Sequence, residues 1–393
     1  VTEQPTLLLY CQHSLGLGHL KRSWALARHF SRVFRVVLVS GGAPPMGLAA
    51  PDGIEIVELP ALAQNEAGVL FAVDSSRSVD DVRRERIERL LALYRRLRPA
   101  VVVIELFPFG RRKFQTELLT LLEETRNEPR PVVASSVRDL LVDRANRQTH
   151  DDRARNTCAA YFDVVLVHAD PRFATLDDTF RPSRPMETPV HHTGFVVDDA
   201  RIDDAVAARS GILVSGGGGR FAERLYTMAF GAHALLGDAA PPMTIVAGPL
   251  CPDDLFARLC TAAATRRAIH VERTVADLCG AMRRAAVSVS QCGYNTALDI
   301  VRAMVPAIVV PFDDNGDTEQ TVRAARLEQL QAVRVVRAAA GPAALAQALI
   351  AVQGIHPPAS VLDLSGGLRS TEILAAALRQ QQRRGDFAMV ASR

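Results

Sequence analysis

Residues 290–320 read SQCGYNTALDIVRAMVPAIVVPFDDNGDTEQ. A Cys-Gly turn with Asn295 and Thr296 opens a helix, and an acid, Asp299, follows on it. An apolar strand ending at Pro311 leads into a polar loop that closes on Glu319 and Gln320. Strand, turn, helix and strand in succession are the repeating unit of a parallel sheet covered by helices. The same pieces suit the parts of a nucleotide sugar. Helix N-terminal amides favour a diphosphate. A carboxylate about one turn into the helix can accept from ribose hydroxyls. An acid–amide pair beyond the strand can read sugar hydroxyls.

The unit recurs on either side. In the first half, strands are expected at residues 6–11 (TLLLYC), 35–40, 54–59, 100–105, 131–135 and 164–168. Helical patterns lie at about 19–30 and 83–97. After residue 210 the pattern restarts with GILVS and a run of four glycines, then strands at 244–247, 268–271, 287–290 and 307–310. Residues 193–209, with Gly194 and an Asp-rich run, read as a linker. The expectation is an α/β chain of two Rossmann-like, doubly wound parallel-sheet domains facing a cleft. Their bounds are 1–195 on the acceptor side, a hinge at 196–209, and a donor-binding domain at 210–370. A C-terminal helix and tail at 371–393 complete the chain.

Size and composition agree. At 393 residues the chain is too long for one typical core. A net charge of +3, with no basic-aromatic array, argues against a nucleic-acid partner. The six cysteines are scattered without a CxxC pair, which argues against zinc and for a reduced, cytoplasmic setting. No apolar run reaches the length of a membrane span, and no signal-peptide pattern opens the chain.

Four constellations could carry chemistry. Residues 14–19, SLGLGH, follow the first strand; Gly16 and Gly18 allow a tight turn, and His19 then sits near a helix start. The third glycine of a dinucleotide fingerprint is absent, since Lys21 stands there. A plain strand–helix turn is the competing reading. Gly216, Gly217, Gly218 and Gly219 with Arg220 offer backbone amides and a cation to phosphate, against the alternative of a flexible loop. Gln291, Gly293, Asn295, Thr296 and Asp299 form the third group; a helix cap with a solvent-facing acid is its bland alternative. The fourth is residues 105–114, ELFPFGRRKF. Glu105, Phe107 and Arg111 there mark an acceptor-side loop or a patch for anionic lipid, against an aromatic loop packed on the core. Asp139 follows another strand and could orient His19 or a substrate, or cap a helix. His191 and His192 read as structural.

These residues resemble the donor-site signature of GT-B glycosyltransferases, most closely the family 28 C-terminal domains. The resemblance extends to the two-domain layout and both glycine turns. It implies that residues 216–219, Asn295 and Thr296 cradle the donor diphosphate. It also implies that Asp299 holds the ribose, that Glu319 and Gln320 hold the sugar, and that His19 faces the reaction centre as general base. Departures are Gln291 in place of a histidine, and Met304-Val305-Pro306 in place of Gly-x-Pro. The stretch GLGHLKRSWALA also resembles the turn of a nucleotide-sugar hydrolase on this fold.

The resulting expectation is an inverting glycosyltransferase that needs no metal and no cofactor beyond its nucleotide-sugar co-substrate, with uridine the family default. Its acceptor is a small molecule or lipid-linked, and peripheral membrane contact is compatible with the basic helix and the aromatic loop. A nucleotide-sugar hydrolase or 2-epimerase, and a non-catalytic nucleotide-sugar sensor, are the alternatives.

Overall fold

The structure, a computed structural model, describes residues 4–13, 18–42, 50–65, 68–141, 146–198, 208–313, 318–352 and 362–391. Gly16, Asp314 and most of the expected hinge lie outside them. By contact the chain divides into two units: one of Val1–Pro44, Ala49–Asp198 and Asp363–Arg393, the other of Asp199–Leu362 with Pro45–Leu48.

In the first unit, β1 (Thr6–Cys11), α1 (Gly18–Phe30), β2 (Arg35–Ser40) and β3 (Glu55–Glu58) lead to a small antiparallel pair, β4 (Leu62–Gln64) and β5 (Leu70–Ala72). Then come α2 (Val79–Leu97), β6 (Val101–Glu105), α3 (Gln115–Glu124), β7 (Val132–Arg138), α4 (Arg147–Tyr161), β8 (Val164–His168) and β9 (Val190–His192). The seven-stranded sheet has the order β3-β2-β1-β6-β7-β8-β9, every pair parallel. Its central strands are buried along almost their whole length, because helices cover both faces. That is why they read VVVIE and VVLVH without polar alternation.

The second unit runs β10 (Ile212–Ser215), α5 (Glu223–Leu236), β11 (Met243–Val246), α6 (Asp253–Ala264), β12 (Ile269–Glu272), α7 (Leu278–Arg284) and β13 (Val287–Ser290). It continues with α8 (Tyr294–Ala303), β14 (Ala307–Val309), α9 (Glu319–Gln329), β15 (Arg334–Val335) and α10 (Gly341–Ala351). The sheet order is β12-β11-β10-β13-β14-β15, again parallel throughout. Met304, in the motif position where Gly-x-Pro has glycine, caps α8 in the left-handed region at φ 46. A glycine would take that conformation without the Cβ strain.

The last helix, α11 (Gly366–Ala391), corrects the expected boundary. Residues 363–370 do not close the second domain but belong, with the expected C-terminal helix, to the first unit. Leu374, Ala375 and Leu378 are buried with Leu7, Leu26, Phe30 and Leu38 in the first unit's core. Phe195 N donates to Asp363 O at 2.7 Å, and Asp363 N to Asp170 Oδ2 at 3.0 Å, which fastens the returning chain beside Gly194.

Candidate active site

Each sheet reverses its winding at one place. In the first unit the chain leaves β1 towards β2 and β3, while β6 begins the strands on the other side. In the second the same happens between β10 and β13. Open α/β sheets bind ligands outside the carboxyl ends of the strands at such switch points. His19 follows β1, and Glu105 ends β6. The glycine run follows β10, and residues 291–296 follow β13.

In the first unit Glu105 is the centre of a buried cluster. His19 Nδ1 lies 2.5 Å from Glu105 Oε1, and Arg22 Nη2 donates to the same oxygen. Arg111 donates to Oε2 through Nη2 at 2.6 Å and Nε at 3.1 Å. Burial alone would raise the Glu105 carboxyl, but Arg111, His19 and Arg22 outweigh it and hold it well below the usual carboxylate range. An ionised carboxylate only accepts, so the ring proton of His19 sits on Nδ1 and Nε2 keeps its lone pair. Burial, with Arg111 and Arg22 against Glu105, lowers the His19 pKa to about 4, so the ring is neutral at pH 7. Its side chain keeps 21% exposure. A neutral imidazole oriented by a carboxylate has the chemistry a general base needs.

The orienting role that the sequence offered to Asp139 is filled here by Glu105; Asp139 is buried at the end of β7. Phe107 does not line an acceptor surface. It is 4% exposed and packs against Phe162, while Phe109 meets Phe180 edge-on at 4.9 Å. The aromatic loop is core, because three rings at the end of a buried strand gain more by packing than by facing water. It therefore offers no aromatic face to lipid. Two further imidazoles, His13 on Ser40 Oγ and His168 between Ser136 and Thr193, are buried near the cluster and went unnoticed in the sequence. His192 accepts from Leu176 N in the edge strand β9, a structural part as expected.

In the second unit the glycines divide into two kinds. Gly217 and Gly219 have φ of 61° and 90°, and a Cβ on Gly216 would stand 1.9 Å from Tyr226 Oη. These are glycines for backbone reasons. Their amides are also occupied: Gly216, Gly217 and Gly219 donate to Val246 O, Ser215 Oγ and Gly216 O. The cradle of four amides expected from the sequence is thus narrower, leaving the Gly218 N–H outside these bonds. Gly218 and Gly293 are the other kind. Among the described residues, a Cβ on Gly218 would meet only Leu250 at 3.7 Å, and on Gly293 nothing within 4 Å. Gly293 has an ordinary φ of −65° and caps α8, so nothing among the described residues requires glycine there.

Around these amides the side chains are partly engaged. Gln320 Oε1 accepts from Cys292 N at 2.9 Å and Phe312 N at 3.2 Å. The amide oxygen expected to read a sugar hydroxyl instead joins two loops, and its NH2 group is what can face a ligand. Arg323, missed in the sequence, is 1% exposed; it donates to Cys292 O at 2.9 Å and to Glu319 at 2.6 Å. Cys292 is thereby held through both its N–H and its C=O, which fixes the start of α8. Gln291 Nε2 donates to Phe221 O at 2.7 Å and ties this loop to the glycine run. Thr296 Oγ1 lies across from Gly217, Asn295 and Asp299 are partly exposed on α8, and Arg220 is exposed without an ion pair among the described residues. No group of three His, Cys, Asp or Glu among the described residues could hold a metal ion. Nor is any helix among them long and apolar enough to cross a membrane.

The space before Gly293 yields a test. Gly293→Ala should lower stability by about 0.5–1 kcal/mol, the usual difference at a helix cap. It should weaken nucleotide-sugar binding at least about tenfold, roughly 1.4 kcal/mol, by filling the approach to the α8 amides. Calorimetric titration beside thermal unfolding separates the two; an unchanged affinity would remove Gly293 from the site.

Comparison with known proteins places these features. Residues 264–354 match the glycosyltransferase family 28 C-terminal domain. Among solved structures the chain is similar to the calicheamicin glycosyltransferase CalG4, at 14% identity and TM-score 0.57 over 99% of this chain and 98% of that one. It is similar to MurG of Acinetobacter baumannii at 14% and 0.55, over 96% of this chain and all (100%) of that one. It is also similar to the UDP-GlcNAc 2-epimerase of Methanocaldococcus jannaschii at 12% and 0.58, over 94% and 99%. At such identity these likenesses are of fold, and the fold is GT-B. No curated protein matches the chain by sequence.

Proposed function

We propose that this GT-B chain, matched to family 28 over residues 264–354, is an inverting glycosyltransferase acting on a nucleoside-diphosphate sugar without a metal. UDP-linked hexose or N-acetylhexosamine is the favoured donor. The observation that carries the reading is the His19–Glu105 pair at the switch point of the first unit. The acceptor hydroxyl gives its proton to His19 Nε2 as its oxygen attacks the anomeric carbon. The bond to the diphosphate breaks on the opposite face, and nucleoside diphosphate leaves. Charge on it is met by the α8 N-terminal amides, the Gly218 N–H and Arg220. Asp299 accepts from the ribose hydroxyls. Glu319 and the Gln320 NH2 group contact the sugar.

The fold likeness to a 2-epimerase supports a second reading, in which the sugar is epimerised or hydrolysed with no acceptor. One experiment addresses both. A thermal-shift screen across UDP-, GDP- and dTDP-sugars selects the donor, which is then incubated with EDTA, with and without acceptor. Transfer that persists in EDTA, with only slow loss of donor when acceptor is omitted, is the expected result. Activity lost in EDTA and restored by magnesium would overturn the metal-free mechanism. Rapid release of free sugar, or of an epimer, without acceptor would move the assignment to the second reading.

A further inference from the structure

We infer that the acceptor is an anion, with a carboxylate or phosphate beside the hydroxyl that reacts, and that Arg111 binds it. The inference rests on His19 being the base. Glu105 carries one negative charge and is bonded by two guanidinium groups, Arg22 from α1 and Arg111 from the loop after β6. Arg111 has no other acid among the described residues, so it shares its single carboxylate. Its side chain is 10% exposed, a burial at which a cation that shares its counter-charge is costly.

The geometry of Arg111 also points outward. Nε and Nη2 are taken by Glu105 Oε2, and the Nη1 edge makes no bond within the described protein. The backbone is held in the left-handed region at Arg111, φ 59, and also at Leu106, φ 62, where a side chain other than glycine's is strained. A loop that retains such strain at a switch point fixes the guanidinium rather than letting it seek water. His19 and Arg111 grip the two oxygens of the same carboxylate. The anion met by Nη1 therefore lies only a few bonds from the hydroxyl met by Nε2. Arginine suits carboxylate and phosphate alike, through two parallel N–H donors.

The test uses the full chain saturated with UDP and the imidazole resonances of His19 by NMR, assigned with His19→Asn. Glycerate, glycerol 3-phosphate and glycerol are the probes. The two anions should shift the His19 signals saturably at millimolar concentration, and glycerol should need at least tenfold more. The stronger of glycerate and glycerol 3-phosphate distinguishes a carboxylate from a phosphate acceptor. Arg111→Gln should weaken the anion response at least tenfold, and Arg111→Lys should recover part of it. Equal responses to glycerol and the anions in the unaltered protein would overturn the inference, whatever the variants do. So would an anion response unchanged in Arg111→Gln. If UDP fails to bind while the anions still shift His19, the donor reading fails and the anion site stands.

Discussion

His19→Ala is expected to lower kcat by about 10²–10⁴-fold, the range that a positioned general base supplies. Affinity for the nucleotide sugar should stay within about twofold, because the proposed donor contacts belong to the other unit. The pH dependence carries a second signature. Only the neutral ring accepts a proton, and its pKa is lowered to about 4 by burial and by Arg111 and Arg22 against Glu105. Activity should thus stay level as pH falls from 7 and decline only as it passes about 4. Glu105, held well below the usual carboxylate range, remains ionised across that window. A steady-state profile of kcat/KM against pH checks this. Turnover like that of the unaltered protein in His19→Ala would remove the residue from catalysis.

Arg86→Ala should cost about 3–5 kcal/mol of stability, the usual penalty for leaving a buried charge unpaired. Arg86 comes from α2 and is 0% exposed. It donates to Glu117 through Nε at 2.8 Å and Nη2 at 2.7 Å, to Gln12 Oε1 at 2.7 Å, to Gly41 O at 2.8 Å and to Pro60 O at 2.9 Å. Tyr10 donates to the same Glu117. One guanidinium thus joins the segments that follow β1, β2 and β3 to α3. Its loss strands Glu117 and several carbonyls in a dry interior. Trp24, the only tryptophan, lies in α1 of the same unit, so its fluorescence during urea unfolding reports on this loss. A change below about 1 kcal/mol would show that water or neighbouring groups replace the arginine.

The alternation of strands and helices was legible because parallel strands buried on both faces must be runs of apolar residues. Thr6–Cys11 and Val164–His168 stand at the expected bounds. The three-residue strands β4, β5 and β9 were missed, since so few residues carry no periodicity. Around the site, glycines and the residues of the 290–320 stretch were readable from type and order. Which partner each side chain chose was not. Glu105 and His19 are 86 positions apart, and only the sheet order brings them together. Nothing in the sequence singles out Arg323, and it leaves Phe107 open between an acceptor-side loop and the core, because burial of single side chains is decided by packing from distant segments.

The return of the final helix has a consequence for how the protein comes into being. The first unit's core contains Leu7 and Leu9 from the opening strand together with Leu374 and Leu378 from near the end. Every strand of the second unit among the described residues lies between residues 212 and 335. Domains form as units while the chain emerges from the ribosome. Here the half that is translated first is finished last. The glycine loops have their whole sheet while the domain that carries His19 still waits for a helix not yet made.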